Sequence, residues 1–139
     1  MSKGRIDRKA LIQYRLDQAR EVLKDAHALH DLKRTSISVV NRAYYSMFYA
    51  VLALMISINK NAAKHQGVLS FFDEHFIKTK IFPKEMSKLI HDAFESRQEG
   101  DYRESARIDR ETAGEILQSA DRFLELVGKH LLPDGGKDQ

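Results

Sequence analysis

The sequence predicts an all-α fold, an up-and-down bundle of four long helices plus a short helix. Three observations carry that expectation. Apolar residues recur at helical spacing along most of the chain, and no stretch alternates as a strand does. Only 2 prolines and 7 glycines punctuate the 139 residues, too few for a loop-rich β domain or a disordered chain. Finally, the seventeen residues Ala43 to Asn59 carry no charge and are apolar nearly all round, so other helices must cover them.

The first helix is expected over about Asp7 to Leu32. Ile12, Leu16, Ala19, Leu23, Ala26 and His30 follow at steps of 4, 3, 4, 3 and 4, which puts them on one stripe. Lys33-Arg34-Thr35-Ser36 breaks the pattern, and Thr35, Ser36 or Ser38 can cap the next helix with a side-chain oxygen. That helix runs to about Ile58 and approaches the ~18–20 apolar residues a membrane span needs. Tyr44, Tyr45, Ser46, Tyr49, Ser57 and Asn59 make it too polar for one, so a buried central helix and no membrane are expected.

A short helix follows over Gly67 to Ile77, beginning near His65, with Lys78 and Lys80 at its negative end. Pro83 suits the first turn of the next helix, where its missing N–H costs nothing. Met86, Leu89, Ile90, Ala93 and Phe94 form that helix's apolar face, which finishes on Arg97, and Gly100 is expected to stop it. Asp101-Tyr102-Arg103-Glu104 has capping-box spacing for the last helix. Ala113, Ile116, Leu117, Ala120, Phe123, Leu124, Val127 and Leu131 line its inner face, and Pro133 ends it. The expected division is one domain over 1–132 and a frayed tail over 133–139.

With 42% apolar residues the chain supports one core. Cysteine is absent, which excludes disulfides, thiolate metal sites and a cysteine nucleophile. No secretory leader opens the sequence, so a cytoplasmic location is expected. There is no Glu-x-x-His pair for a di-metal bundle site, no phosphate-binding glycine loop and no nucleophile elbow. No metal and no cofactor are expected; His27 and His30 share a face but lack a third ligand.

Charge is mild, with 23 basic against 20 acidic residues, which permits a polyanion partner without requiring one. Residues 1–34 lean basic, and Lys78, Lys80, Lys84 and Lys88 surround one acid, Glu85. Arg97 to Glu111 holds four arginines but five acids, which suits a solvated, salt-bridged face.

Two strings are less ordinary. Asn41-Arg42-Ala43-Tyr44-Tyr45-Ser46-Met47-Phe48-Tyr49 puts an arginine and several phenols at the mouth of the greasiest helix, where buried polar groups need partners. The plain expectation for Arg42 is an ion pair with a carboxylate of a neighbouring helix. Arg97-Gln98-Glu99-Gly100-Asp101-Tyr102 places an arginine where an apolar stripe ends, and its plain reading is a helix stop followed by a cap.

These strings, with Lys64-His65-Gln66-Gly67-Val68 and the Phe71-Phe72…His75-Phe76 stretch between them, resemble the HEPN family, a domain of higher eukaryotes and prokaryotes associated with nucleotide binding. The likeness spans about residues 7–130 and is nearest to its small single-domain prokaryotic members. It implies a helical bundle, a homodimer, and a minimal nucleotidyltransferase as partner in a toxin–antitoxin-like pair. Active members are metal-independent ribonucleases with an arginine, four to six residues and a histidine at the dimer seam. By that resemblance Arg97 is the motif arginine, and Tyr102 stands in the histidine's place. Arg97 and Tyr102 are thus the candidate catalytic pair, with Arg42, Tyr45 and Arg103 as candidate RNA- or nucleotide-binding residues. An arginine suits phosphate because its fork pairs two oxygens and stays charged. A phenol, with an ordinary pKa of about 10, is a poor base at neutral pH. The alternative is therefore a non-catalytic module that binds nucleotide or a protein partner. In one branch of the family the partner enzyme adenylates a tyrosine near the motif, and Tyr102 is the candidate by position.

Overall fold

The computed structural model describes residues 2–60, 65–102 and 108–133, with side chains over 7–60, 67–98 and 108–133. Five α-helices appear, and no strand is present among the described residues. They are α1 (Ser2–Asp31), α2 (Ser36–Ser57), α3 (His65–Phe72), α4 (Glu85–Tyr102) and α5 (Arg110–Leu131). A single π-helical turn, Asp73–Ile77, continues α3.

Helix α2 is the axis of the bundle and packs against α1, α5, α4 and α3. Its length and hydropathy alone would let it cross a membrane, but 61% of that window is buried inside the bundle. It is a core helix, as its phenols and serines suggested. Tyr44, Met47, Val51, Leu54 and Met55 meet Leu16 of α1, Phe72 of α3, Phe76 of the π turn, Met86 and Ile90 of α4, and Phe123 of α5 in one core.

A tight turn with Lys33 at φ 57° reverses the chain between α1 and α2. Helix α5 runs antiparallel to α1. The Arg110 guanidinium donates to the His30 carbonyl at 2.8 Å, His27 meets Asp121 at 2.7 Å, and Gly128 lies beneath the Arg20 guanidinium. A Cβ at Gly128 would come within 3.2 Å of Arg20 Nη2, a contact the exposed arginine relieves by shifting a few tenths of an ångström.

Several boundaries differ from expectation. Helix α1 begins at Ser2 rather than near Asp7. Pro83 lies two residues ahead of α4 rather than in its first turn. Helix α4 passes through Gly100 to Tyr102. A glycine inside a helix costs only about 1 kcal/mol relative to alanine, so Gly100 permits a stop without forcing one. Asp101 therefore lies within α4 and does not begin α5. The true cap is Asp109, whose carboxylate accepts the Thr112 N–H at 2.7 Å. The apolar stripe of α5 starts at Ala113, one turn past Asp109 and three past Asp101, and that spacing was the better guide. At α2 the N-cap is Thr35, but its hydroxyl bonds the Ser38 hydroxyl at 2.8 Å instead of a backbone N–H. The candidate residue Arg103 and the tail over 134–139 lie outside the described residues.

Candidate functional site

The first half of α2 builds one side of the site. Arg42 and Tyr45 are three apart, so they share a face, and the guanidinium carbon lies 5.5 Å from the Tyr45 ring centroid. Asn41 fixes Arg42 from behind, its side-chain oxygen accepting from Nε at 3.2 Å and Nη2 at 2.9 Å. Among the described residues no carboxylate pairs with Arg42 as expected: an amide and an aromatic face hold the guanidinium instead. A planar, weakly hydrated cation is suited to that exchange.

Helix α4 supplies the other side. Phe94 packs on Tyr44 with ring centroids 5.6 Å apart. One turn later the Arg97 guanidinium carbon lies 5.5 Å from the Tyr44 centroid and 5.3 Å from the Tyr45 centroid. Tyr44 and Tyr45 are themselves edge-to-face at 5.3 Å. Two arginines from different helices thus converge on the ring of Tyr45. Each such contact is worth about 0.5–2 kcal/mol, which favours holding both cations near one place.

Phe48 and Tyr49 extend the aromatic surface, with centroids 5.9 Å and 6.0 Å from Tyr45. Tyr45, Phe48, Tyr49, Leu52 and Ile56 are all half-buried and follow at steps of 3, 1, 3 and 4, a continuous apolar stripe on the outside of α2. Tyr44 differs: it is fully buried. Burial pushes its phenol well above the ordinary range, with the Arg97 charge pulling against that and Tyr45 adding to it. It stays protonated at physiological pH and has no part as a base.

Three of the five residues singled out from sequence, Arg42, Tyr45 and Arg97, come together here. Tyr102 follows Arg97 by five positions on α4, about 7.5 Å along the axis, and its side chain lies outside the described residues. Arg103 lies outside them altogether. Sequence reasoning passed over Asn41, Tyr44 and Phe94 as site residues. The signal for Phe94 was its place one helical turn before Arg97, and for Asn41 its place beside Arg42.

An open cleft lies elsewhere. A groove of about 960 Å³ runs between α1 and α5. Its charges pair along their own helices, Lys24 with Glu21 and Lys129 with Glu125, and His27 with Asp121 clasps it across. A second histidine–aspartate contact, His91 Nε2 to Asp73 Oδ2 at 2.8 Å, ties α4 to the π turn. Among the described residues no group of three or more His, Asp and Glu side chains is placed to hold a metal ion.

A family model for the HEPN domain matches residues 12–131. A "UPF0332 protein" of Thermotoga maritima is 37% identical over 123 residues, which cover 88% of this chain and 92% of the relative. "Putative toxin MJ0142" of Methanocaldococcus jannaschii is 40% identical over 93 residues, 67% of this chain and 63% of the relative. A second protein of that organism, named in the same way as MJ0605, is 29% identical over 120 residues, 86% of this chain and 88% of the relative.

Proposed function

The chain belongs to the HEPN family, and from that premise we propose that it is a toxin-like HEPN module that grips the phosphate of an RNA between Arg97 and Arg42. The observation that carries this reading is the convergence of the two guanidinium groups on Tyr45. Two permanent cations beside an aromatic face are a receptor for an anion attached to a planar base: the arginines take the phosphate and the rings stack the base.

In the catalytic form of this reading the 2′-hydroxyl attacks the adjacent phosphate. A bond forms from the 2′-oxygen to phosphorus and the bond from phosphorus to the 5′-oxygen breaks. The 2′-proton passes to solvent water, and the departing 5′-oxygen gains one from Tyr102 or from water. Arg97 neutralises the phosphorane, which carries more negative charge than the ground state, and Arg42 fixes its orientation. Tyr102 serves as proton donor or hydrogen-bond donor. No metal takes part. The protein acts as a cytoplasmic homodimer with a small nucleotidyltransferase partner, and the half-buried stripe of α2 from Tyr45 to Ile56 is the seam.

The second reading is a module that binds RNA, a nucleotide or the partner without cleaving. One specific feature favours it: no histidine occurs between His91 and His130, so the motif position lacks a base that titrates near neutrality. Incubation of mixed RNA with the purified protein, with and without EDTA, separates the two. EDTA-resistant cleavage lost in Arg97→Ala supports catalysis. Binding that needs Arg97 and Arg42 without any product supports the module. Neither cleavage nor binding would refute both. Light scattering should give about twice the 16.0 kDa chain mass, and a strict monomer would remove the seam.

A further inference from the structure

We infer that the loop carrying Lys78, Lys80 and Lys84 is a second contact for the sugar–phosphate backbone of a nucleic acid, at the far end of α4 from Arg97. This rests on the RNA reading above and gives it a length: the bound strand must run the length of α4.

The loop is built to hold its shape. The Lys78 N–H donates to the Asp73 carbonyl at 2.8 Å, the Lys80 N–H to Ile77 at 2.9 Å, and the Phe82 N–H to Phe76 at 2.9 Å. Thr79 donates its hydroxyl to the His75 carbonyl at 2.8 Å. Phe82 is buried, with its ring against Phe72, Phe76 and His130. What this anchored loop presents is charge. Lys78, Lys80 and Lys84 are exposed, and none has a carboxylate within ion-pair distance among the described residues.

The acid that the sequence places among them is already taken. Glu85 accepts both Nε and Nη2 of Arg122 at 2.9 and 3.2 Å, and the arginine holds its carboxyl below the usual range. Lys88, next along, is neutralised by Asp92 at 2.7 Å. Helix electrostatics accounts for only part of the pattern. Lys78 and Lys80 follow the negative end of a helical turn, but Lys84 stands immediately before α4, at the positive end of that helix's dipole, where a cation is unfavourable. A lysine kept there without a partner suits an external anion.

Between the loop and the arginine pair runs a half-buried stripe of α4, Ser87, His91, Phe94 and Gln98, at steps of 4, 3 and 4. The exposed acids Asp92 and Glu95 lie off it. Lys84 and Arg97 are thirteen positions apart, about 20 Å at the helical rise. That is about six stacked nucleotides at 3.4 Å each. A strand of about four nucleotides fills one contact, and a strand of about fifteen reaches both.

The test uses fluorescein-labelled oligouridylates of about four and about fifteen nucleotides, titrated by anisotropy at several salt concentrations. The proteins are wild type, the triple Lys78→Gln/Lys80→Gln/Lys84→Gln variant, its Lys→Arg counterpart, and Arg97→Ala. For the long strand, glutamine should weaken binding about tenfold or more and flatten the slope of log K against log salt by up to about 2, at ~0.7 per lost contact. Arginine should restore both. The short strand should be indifferent to the lysines and weakened by Arg97→Ala. If the long strand ignores the glutamine variant, the inference is overturned while an Arg97-dependent short strand keeps the RNA reading. If the lysines matter and Arg97 does not, the loop stands and the RNA reading at Arg97 falls. If the wild type binds neither strand, both fall. Binding to phosphatidylserine vesicles that requires the lysines, with no lysine effect on the long strand, assigns the loop to a lipid surface and overturns the inference.

Discussion

The α2–α4 contact and the α1–α5 groove are two helix seams of one bundle, built on different principles. The groove offers open space, about 960 Å³, yet its charged side chains mostly pair with neighbours on their own helix. At the α2–α4 contact, side chains from residues 42, 45 and 97 meet through aromatic faces. Volume marks where a ligand could fit. Convergence of cations from separate helices is the feature on which the proposed anion site rests. We place the proposed function at the α2–α4 contact on that ground.

The sharpest way to break that contrast is through Tyr44. It is fully buried and touches Tyr45, Phe48, Phe94 and Arg97, so it joins the site to the core. Tyr44→Ala should cost about 3–5 kcal/mol of stability in denaturant unfolding. A loss below about 1 kcal/mol would mean that α2 and α4 are not locked together there.

Next in size, Arg97→Ala should weaken RNA binding about tenfold or more, and Arg97→Lys should recover only part of it, because an ammonium lacks the planar fork. The matched change in the groove, Asp121→Asn, should leave RNA binding within about twofold. Equal losses at both places would erase the distinction between the seams. In stability the order reverses in interest: the His27–Asp121 clasp is half exposed, so removing it should cost at most about 1 kcal/mol.

The smallest expected effect is at the start of α5. Backbone and side-chain bonds from Thr112 hold the Asp109 carboxyl below its ordinary range. A carboxylate depressed in the folded state stabilises at pH values above its unfolded value, near 4, and that contribution is lost as pH falls through the folded value. Asp109→Asn still caps the helix but does not titrate. Thermal melts of the two proteins should therefore differ in acid sensitivity below about pH 4 and run parallel above about pH 5. Parallel curves throughout would show that Asp109 does not cap as described.

How much of this was legible beforehand follows from the range of each interaction. The stripes of α1, α2 and α5 are local periodicities, and all three helices carry them, although α1 begins five residues before its expected start and the α5 cap lies eight residues past the expected one. The end of α4 was misplaced because Gly100 and the Asp101–Glu104 spacing are weak local signals. The helix continued through them to Tyr102. The π turn at Asp73–Ile77 has no sequence signature of its own; it places Phe76 in the core and sets Asp73 against His91. At the site, Arg42, Tyr45 and Arg97 were each legible as unusual, but their meeting was not. Residues 45 and 97 are joined by the way α4 lies across α2, which no local pattern encodes. For the same reason a carboxylate partner was expected for Arg42 where Asn41 and the Tyr45 ring serve.

One measurement bears most directly on the claim that the two arginines hold a single anion: a double-mutant cycle of Arg42→Ala and Arg97→Ala, read as the affinity for a short labelled oligouridylate. If both cations grip the same phosphate against Tyr45, the double variant should lose less than the sum of the single losses, with a coupling of about 0.5–3 kcal/mol. Strictly additive losses, or no loss from either substitution, would show that the two guanidinium groups share a ring but not a ligand.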